Sequence, residues 1–258
     1  MGILDTISRP AERPVIATIF GDSGMGKTTL AATFPKPIVI RAEDGLQAIP
    51  VNNRPSAFPV LQTADELWEQ LKGLIHEDHE FQTLVVDSVT ALERLFVQTV
   101  IDNDVKSPRS IQQALGGYGA GREAVYIMHA RLRKAAGVLA DRRGMHTVFI
   151  AHATTERIEP PDIDAHTRWT LRVHDKSMPA YVDDVDLVGF MSLETFVTGE
   201  GDRKKALSDG TRILTCHATP ANVSKNRYGI TEPLSVEANV NPFIGLVPAL
   251  TPKKEKSK

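Results

Sequence analysis

Three groups of residues in this chain have the types and spacing for phosphoryl chemistry. The stretch "GDSGMGKT", residues 21–28, satisfies G-x-x-x-x-G-K-[ST]. Gly21, Gly24 and Gly26 let the backbone curl so that several N–H groups converge on phosphate oxygens. Asp22, Ser23, Met25 and Thr29 belong to the same cofactor-binding stretch. Lys27 is expected to reach the β- and γ-phosphates of ATP, and Thr28 to place its hydroxyl on Mg²⁺. A bare motif of this kind can also be a glycine-rich turn without a ligand. Here an apolar run precedes it and a helix-forming run follows, which is the context a phosphate cradle needs.

The second group is Asp87, at the end of "TLVVD". Open α/β sheets present ligands at the carboxyl ends of their strands, and a carboxylate there can hold the metal directly or through water. Asp87 and Ser88 would both also suit the N-cap of a following helix. The third is Glu43, after "PIVIRA", at the mouth of another strand. Hydrolysis needs a group that orients or deprotonates water. Neither neighbour of Asp87 is acidic, which favours Glu43 as that base. Its alternative is a solvated loop acid beside Asp44 and Gly45.

These residues need elements to position them. "RPVIATIF" (13–20) reads as a buried strand, followed by a helix from near Lys27 that stops before Pro35. "PIVIRA" (37–42) is a second strand. "TADELWEQLKGLI" (63–75) is a helix capped by Thr63, with Leu67, Leu71 and Leu74 on one face. "FQTLVVD" (81–87) is a third strand, and a helix starts at Ser88. A polar, Gly-rich interval spans about 102–121. The helix at about 122–143 carries a stripe of Val125, Met128, Leu132, Ala135 and Leu139. "MHTVFIAHAT" (145–154) is a fourth strand. The polar stretch 155–180 lacks periodicity and reads as a long functional or mobile loop. "SDG" (208–210) signals a hairpin between alternating runs. Strands alternating with helices predict an α/β fold: a mostly parallel, twisted sheet flanked by helices, with an antiparallel hairpin extension at one edge. No linker divides the chain, so residues 1–247 form one expected domain and 248–258 a basic flexible tail.

Composition narrows the partners. The formal net charge of the 258 residues is -2, so nucleic-acid binding would need a local basic surface. The single cysteine, Cys216, excludes an internal disulfide and a cysteine-based zinc site, and fits a reducing, cytoplasmic setting. No apolar run approaches membrane-spanning length, so no membrane partner is expected. "MGILDT" matches the myristoylation pattern at Gly2 and Thr6, a match short enough to arise by chance. "HEDHE" (76–80) lacks the H-E-x-x-H spacing of a zinc site and reads as surface.

Taken in order, the phosphate loop, "IVIRAE", "LVVDS", a basic helix, "TVFIAH", a long polar loop and "VSKNRYG" resemble the RecA/RadA recombinase core without its extra terminal domains. The resemblance points in particular to the compact phage nucleotide-binding proteins of the Sak-type single-strand-annealing class, over roughly residues 13–232. It implies a RecA-like P-loop NTPase fold, with strand 145–152 lying between 13–20 and 81–87. It makes Glu43 the water-activating glutamate. His152 takes the place of the polar γ-phosphate sensor, a glutamine in RecA, and a histidine there would respond to pH. Lys225 and Arg227 match a basic pair that reaches across a subunit interface to a neighbour's γ-phosphate. Read alone, His152 could be a satisfied strand-end histidine and the basic pair a solvated turn.

In this family the loops at about 103–121 and 154–180 face single-stranded DNA. The resemblance therefore nominates Arg157, Arg168, Trp169, Arg172 and Lys176 for DNA binding, with Trp169 as the stacking ring. Glu156, Glu159, Asp162, Asp164 and Asp175 dilute that field. The implied function is an ATPase stimulated by single-stranded DNA, acting in recombination or annealing as a head-to-tail homo-oligomer. Two alternatives stay open: a small-molecule kinase with 155–180 as its lid, and a nucleotide-gated interaction module with little turnover.

Overall fold

Apolar, β-branched runs supply the centre of a ten-stranded sheet in the computed structural model, which describes residues 2–9, 11–198 and 205–252. In chain order the elements are β1 (Ile16–Gly21), α1 (Lys27–Ala31), β2 (Pro37–Arg41), β3 (Ser56–Val60), α2 (Ala64–His76), β4 (Thr83–Asp87), α3 (Val89–Asp102), α4 (Ala120–Arg143), β5 (His146–Ile158), β6 (His166–Leu171), α5 (Pro179–Val182), β7 (Leu187–Leu193), β8 (Phe196–Thr198), β9 (Lys205–Leu207), β10 (Arg212–Thr215), β11 (Lys225–Asn226) and β12 (Leu234–Ser235).

The sheet runs β12-β10-β7-β1-β5-β4-β2-β3. From β7 to β3 all neighbours are parallel, while β10 and β12 add the antiparallel extension at the β7 side. The expected α/β architecture is thus present. So is the expected order, with β5 between the strand before the phosphate loop and the strand ending at Asp87.

Alternation along the central strands divides the core in two. Ile16, Phe20, Val86 and Phe149 face α2, α3, α4 and α5. Ala17, Ile19, Val85 and Val148 face α1 and the C-terminal segment, including Phe243 and Val247. Helix α2 starts where Thr63 accepts a hydrogen bond from the Glu66 amide, and it buries Leu67, Leu71 and Leu74. Each such leucine contributes about 1.5–3 kcal/mol by leaving water.

Four sequence expectations need correction. Residues 155–171 are not a long loop: β5 extends to Ile158 and pairs antiparallel with β6, from Ala153↔Leu171 to Ile158↔His166. The strands flanking "SDG" do not pair with each other. β9 pairs with β8, and β10 pairs with β7 and β12. In α4 the buried stripe passes through His129 and Ala136, with Met128 and Ala135 on its flank. Finally, packing continues past 247, because Pro248–Leu250 form a 3₁₀ turn with Leu250 buried. Residues 253–258 of the expected tail lie outside the described residues.

Candidate active site

Every residue of β1 is buried, so the strand fixes the start of the phosphate loop within the sheet. Gly21 pairs with His152 on β5 and Met191 on β7. A Cβ on Gly21 would stand 2.3 Å from the Met191 carbonyl oxygen, which explains a glycine at this close approach. Gly24 and Gly26 have φ of +79° and +92°, the left-handed conformations that side chains rarely adopt. Lys27 is buried and folds back over the loop, donating from Nζ to the carbonyl oxygens of Gly21 (2.9 Å) and Asp22 (2.7 Å). Burial lowers its pKa, with Arg172 acting in the same direction and Asp87, Glu43 and Asp22 opposing it.

Asp87 and Ser88 divide the two roles that sequence left open. Ser88 caps α3, its Oγ accepting from the Ala91 amide at 3.2 Å. The buried Asp87 carboxylate instead accepts from Thr28 Oγ1 at 2.8 Å. Gly45 keeps the space beside this pair open, since a Cβ there would lie 3.3 Å from Asp87 Oδ2 and 3.8 Å from Thr28 Oγ1. An oxygen-only pair beside open space fits Mg²⁺, which binds through one or two protein groups plus substrate phosphates. Consistently, among the described residues no cluster of three His, Cys, Asp or Glu side chains could hold a metal unaided. Thr28 and Asp87 would hold the ion, and when bound it would offset charge on the phosphate oxygens.

Burial raises the Asp87 pKa; the Thr28 hydrogen bond opposes this and Glu43 adds to it. A carboxylate whose folded pKa exceeds its unfolded one weakens the fold as pH rises through that window. Asp87→Asn should therefore raise the melting temperature of the protein without nucleotide at neutral pH, by about 2–4 °C per ~1 kcal/mol relieved in a chain of this size. Calorimetry with and without Mg²⁺–ATP checks this: the variant should also lose the stabilisation that the ligand gives the parent.

Across the cleft, His152 Nε2 lies 3.0 Å from Glu43 Oε1. Both are held by backbone: the His152 amide donates to Thr90 Oγ1 (3.0 Å), and the Ala42 and Glu43 amides donate to the Asp87 carbonyl (2.7 and 3.3 Å). Ser23 Oγ stands 3.4 Å from His152 Nδ1, linking the pair to the phosphate loop. The His152 hydrogen bond is the chief cause that holds Glu43 below the usual carboxylate range; burial opposes it, and Ser88 and Arg94 reinforce it. Glu43 is therefore held ionised by its His152 contact, in the same cleft as Lys27 and Asp87. The cleft has a volume of about 450 Å³, and Arg212, Val236 and Glu237 also line it. Arg212 has no motif to announce it. It reaches the loop because β10 pairs with β7, bringing Arg212 Nε within 3.7 Å of where a Gly26 Cβ would be.

Other nominated residues lie elsewhere. β11 pairs with the start of β7, Lys225↔Val188 and Asn226↔Leu187, at the end of the sheet opposite the phosphate loop. Lys225 Nζ donates to the Asp183 carbonyl (2.7 Å), and Arg227 pairs with Asp186 (3.2 Å). Arg168 pairs with Glu156 (2.6 Å), Arg157 with Glu159 (3.2 Å) and Lys176 with Glu123 (3.1 Å). Trp169 is not a free ring: it stacks on Phe190 with centroids 5.6 Å apart and packs against the core. Arg172 remains exposed beside His152, its amide donating to the His152 carbonyl at 2.8 Å.

A mostly parallel sheet with a phosphate loop after β1, a Thr–Asp pair at the adjoining strand ends and a poised glutamate defines a P-loop NTPase. Residues 13–228 match the AAA domain family, and the chain belongs to it. It is also similar to the SPbeta prophage-derived uncharacterized protein YorG of Bacillus subtilis (strain 168), at 27% identity over 161 residues. That match covers 60% of this chain and 45% of the relative, so the chain spans less than half of that protein's length. Among the described residues no helix is long and apolar enough to cross a membrane.

Proposed function

We propose that this AAA-domain protein hydrolyses ATP with Mg²⁺ and acts on single-stranded DNA, in recombination or annealing, as a RecA-like head-to-tail oligomer. The observation that carries the reading is the Glu43–His152 bond of 3.0 Å in the cleft that also holds Lys27, Thr28 and Asp87. A hydrolase needs a base for water, whereas a kinase delivers phosphate to a bound acceptor and has no need of such a glutamate. Glu43 would align and deprotonate the water. Lys27 would leave its carbonyl partners for the phosphates, and Thr28 with Asp87 would hold the metal.

The DNA part of the reading rests on position. The β5–β6 hairpin continues the strand that carries His152, and Arg172 is tied to His152 through the backbone. A cation on that hairpin would feel both a DNA phosphate and the sensor histidine. Three of the other nominated cations are already paired with carboxylates, which focuses the expected contact on Arg172.

The test is steady-state ATP hydrolysis with and without single-stranded DNA. Stimulation by DNA is the expected result, and binding should weaken as salt rises because phosphate contacts release counterions. Lys27→Ala should cut turnover about 10²–10³-fold, as loss of a group that stabilises transition-state charge does. Hydrolysis indifferent to DNA, at every salt concentration, would remove the DNA part of the reading, and negligible turnover with or without DNA would leave the nucleotide-gated module as the better description.

A further inference from the structure

A second cavity, of about 560 Å³, opens behind the Glu43–His152 pair. It shares Ser23, Glu43 and His152 with the nucleotide cleft. Its lining also includes Glu93 and Arg94 from α3, Arg122 from α4, and Arg172 with His174 from the segment after β6. Three separate parts of the fold thus bring cations to one concave surface.

These cations differ in what they already hold. Arg122 lies 3.1 Å from Glu93. Glu93 also lies 2.9 Å from the buried His129, whose Nδ1 is 2.6 Å from the Tyr181 hydroxyl. Burial raises the Glu93 pKa, but His129 and Arg122 together outweigh it and keep the carboxyl below its usual range. Arg122 is therefore spoken for by a buried network. Arg94 and Arg172 are exposed, and among the described residues neither has a carboxylate within 4.0 Å.

Both unpaired arginines line the same cavity as Glu43 and His152. Glu43 is held down first by His152, with Arg94 acting in the same direction. Lys27 is lowered first by its burial, with Arg172 acting in the same direction. The backbone of Arg172 is fixed beside His152, because its amide donates to the His152 carbonyl just beyond the last β5–β6 pair. Guanidinium groups offer planar forks of donors that match the oxygens of a phosphate, and here two of them without a carboxylate partner share the cavity with Glu43, held by His152, and Glu93, held by Arg122.

We propose that this cavity is a second oxyanion site, taking one phosphate group on Arg94 and Arg172 while the loop holds the nucleotide. The inference stands on the cavity and its two unpaired arginines, and does not require that hydrolysis be the reaction. The phosphate could be free, such as one released from the nucleotide, or could belong to the backbone of a single DNA strand.

Equilibrium dialysis of radiolabelled inorganic phosphate against the full chain, saturated with Mg²⁺–ADP, tests the site. The expected result is saturable binding of one phosphate, weakened tenfold or more in Arg94→Ala/Arg172→Ala and less in Arg94→Lys/Arg172→Lys. Mg²⁺–ADP affinity, measured on the same proteins, should change by less than threefold. Failure of Mg²⁺–ADP to bind the parent would count against the phosphate loop, separately from the second site. Absence of saturable phosphate binding, binding only when ADP is left out, or equal binding by the alanine variant would overturn the proposal. A short oligothymidylate supplies the second arm. Displacement of the labelled phosphate identifies the DNA backbone as the source, and coexistence with it identifies free phosphate.

Discussion

Glu43→Gln is expected to lower ATP turnover by about 10²–10⁴-fold, the contribution of a positioned general base. ATP affinity should stay within a few-fold of the parent. The substitution keeps the shape and leaves an amide oxygen that can still accept from His152 Nε2, at the 3.0 Å position the carboxylate now occupies. What it removes is the capacity to take a proton from water. The pH profile sharpens the assignment. The His152 hydrogen bond, with help from Ser88 and Arg94, keeps Glu43 ionised where an ordinary glutamate begins to protonate. Between about pH 8 and about pH 6 even an ordinary glutamate stays ionised, so any loss of activity over that range belongs to another group, and the His152 contact shows itself only by keeping activity at still lower pH. Single-turnover hydrolysis, nucleotide titration and a pH series together check these outcomes. A Glu43→Gln protein that hydrolyses ATP like the parent would move the base elsewhere and revive the small-molecule kinase.

The parts of this site that could be read from sequence share a cause. Loop and strand ends act locally: the glycines set the loop, and the last residue of each buried run marks the ligand edge of the sheet. Gly21, Lys27, Glu43 and Asp87 could be placed that way. The order of the strands could not, because pairing of β1 with β5 joins residues more than a hundred positions apart, and only a resemblance suggested it.

Other elements left weak signals. β3 is short, contains Pro59 and lies at the edge of the sheet with mostly exposed side chains, so it lacks the apolar run of a central strand. β6, "HTRWTL", buries only Leu171, Thr170 and part of Trp169, and its outer half carries pairs such as Glu156 against Arg168, so it lacks a continuous apolar run. His129 sits in the α4 core stripe because Tyr181 bonds one side of its ring and the Glu93 carboxylate lies 2.9 Å from the other, and neither is near it in sequence. Asp186 accepts from the Ile16 amide at the start of β1, a contact spanning 170 positions. Such polar anchors carry no periodicity.

Asp186 also decides how the largest assembly prediction should be tested. Lys225 and Arg227 lie beside the start of β7, while the phosphate loop lies beyond the far end of β1, about four residues or ~13 Å along the strands. A cation there is at the wrong end of the sheet for its own nucleotide. Any catalytic role for Arg227 would therefore fall on a neighbour's ATP, which a head-to-tail contact would bring against it. The competing role is structural, through the 3.2 Å ion pair with Asp186. That pair can be removed cleanly, because Arg13 already lies 2.6 Å from the same carboxylate oxygen and Arg227 is 56% exposed. Arg227→Ala should thus leave the melting temperature and ATP affinity near those of the parent. Turnover should fall by roughly 10³–10⁵-fold, as loss of an arginine supplied in trans does. Lys27→Ala is expected to be nearly inactive for the opposite reason, since it would lack a competent loop but keep Arg227. In an equal, randomly mixed head-to-tail assembly, roughly one interface in four joins an intact loop to an intact Arg227. Mixing the two inactive proteins should then restore activity toward a quarter of the parent's. Mixed assembly with no recovery, or full activity in a protein that stays monomeric, would rule out the trans role and leave Arg227 as Arg13's companion on Asp186.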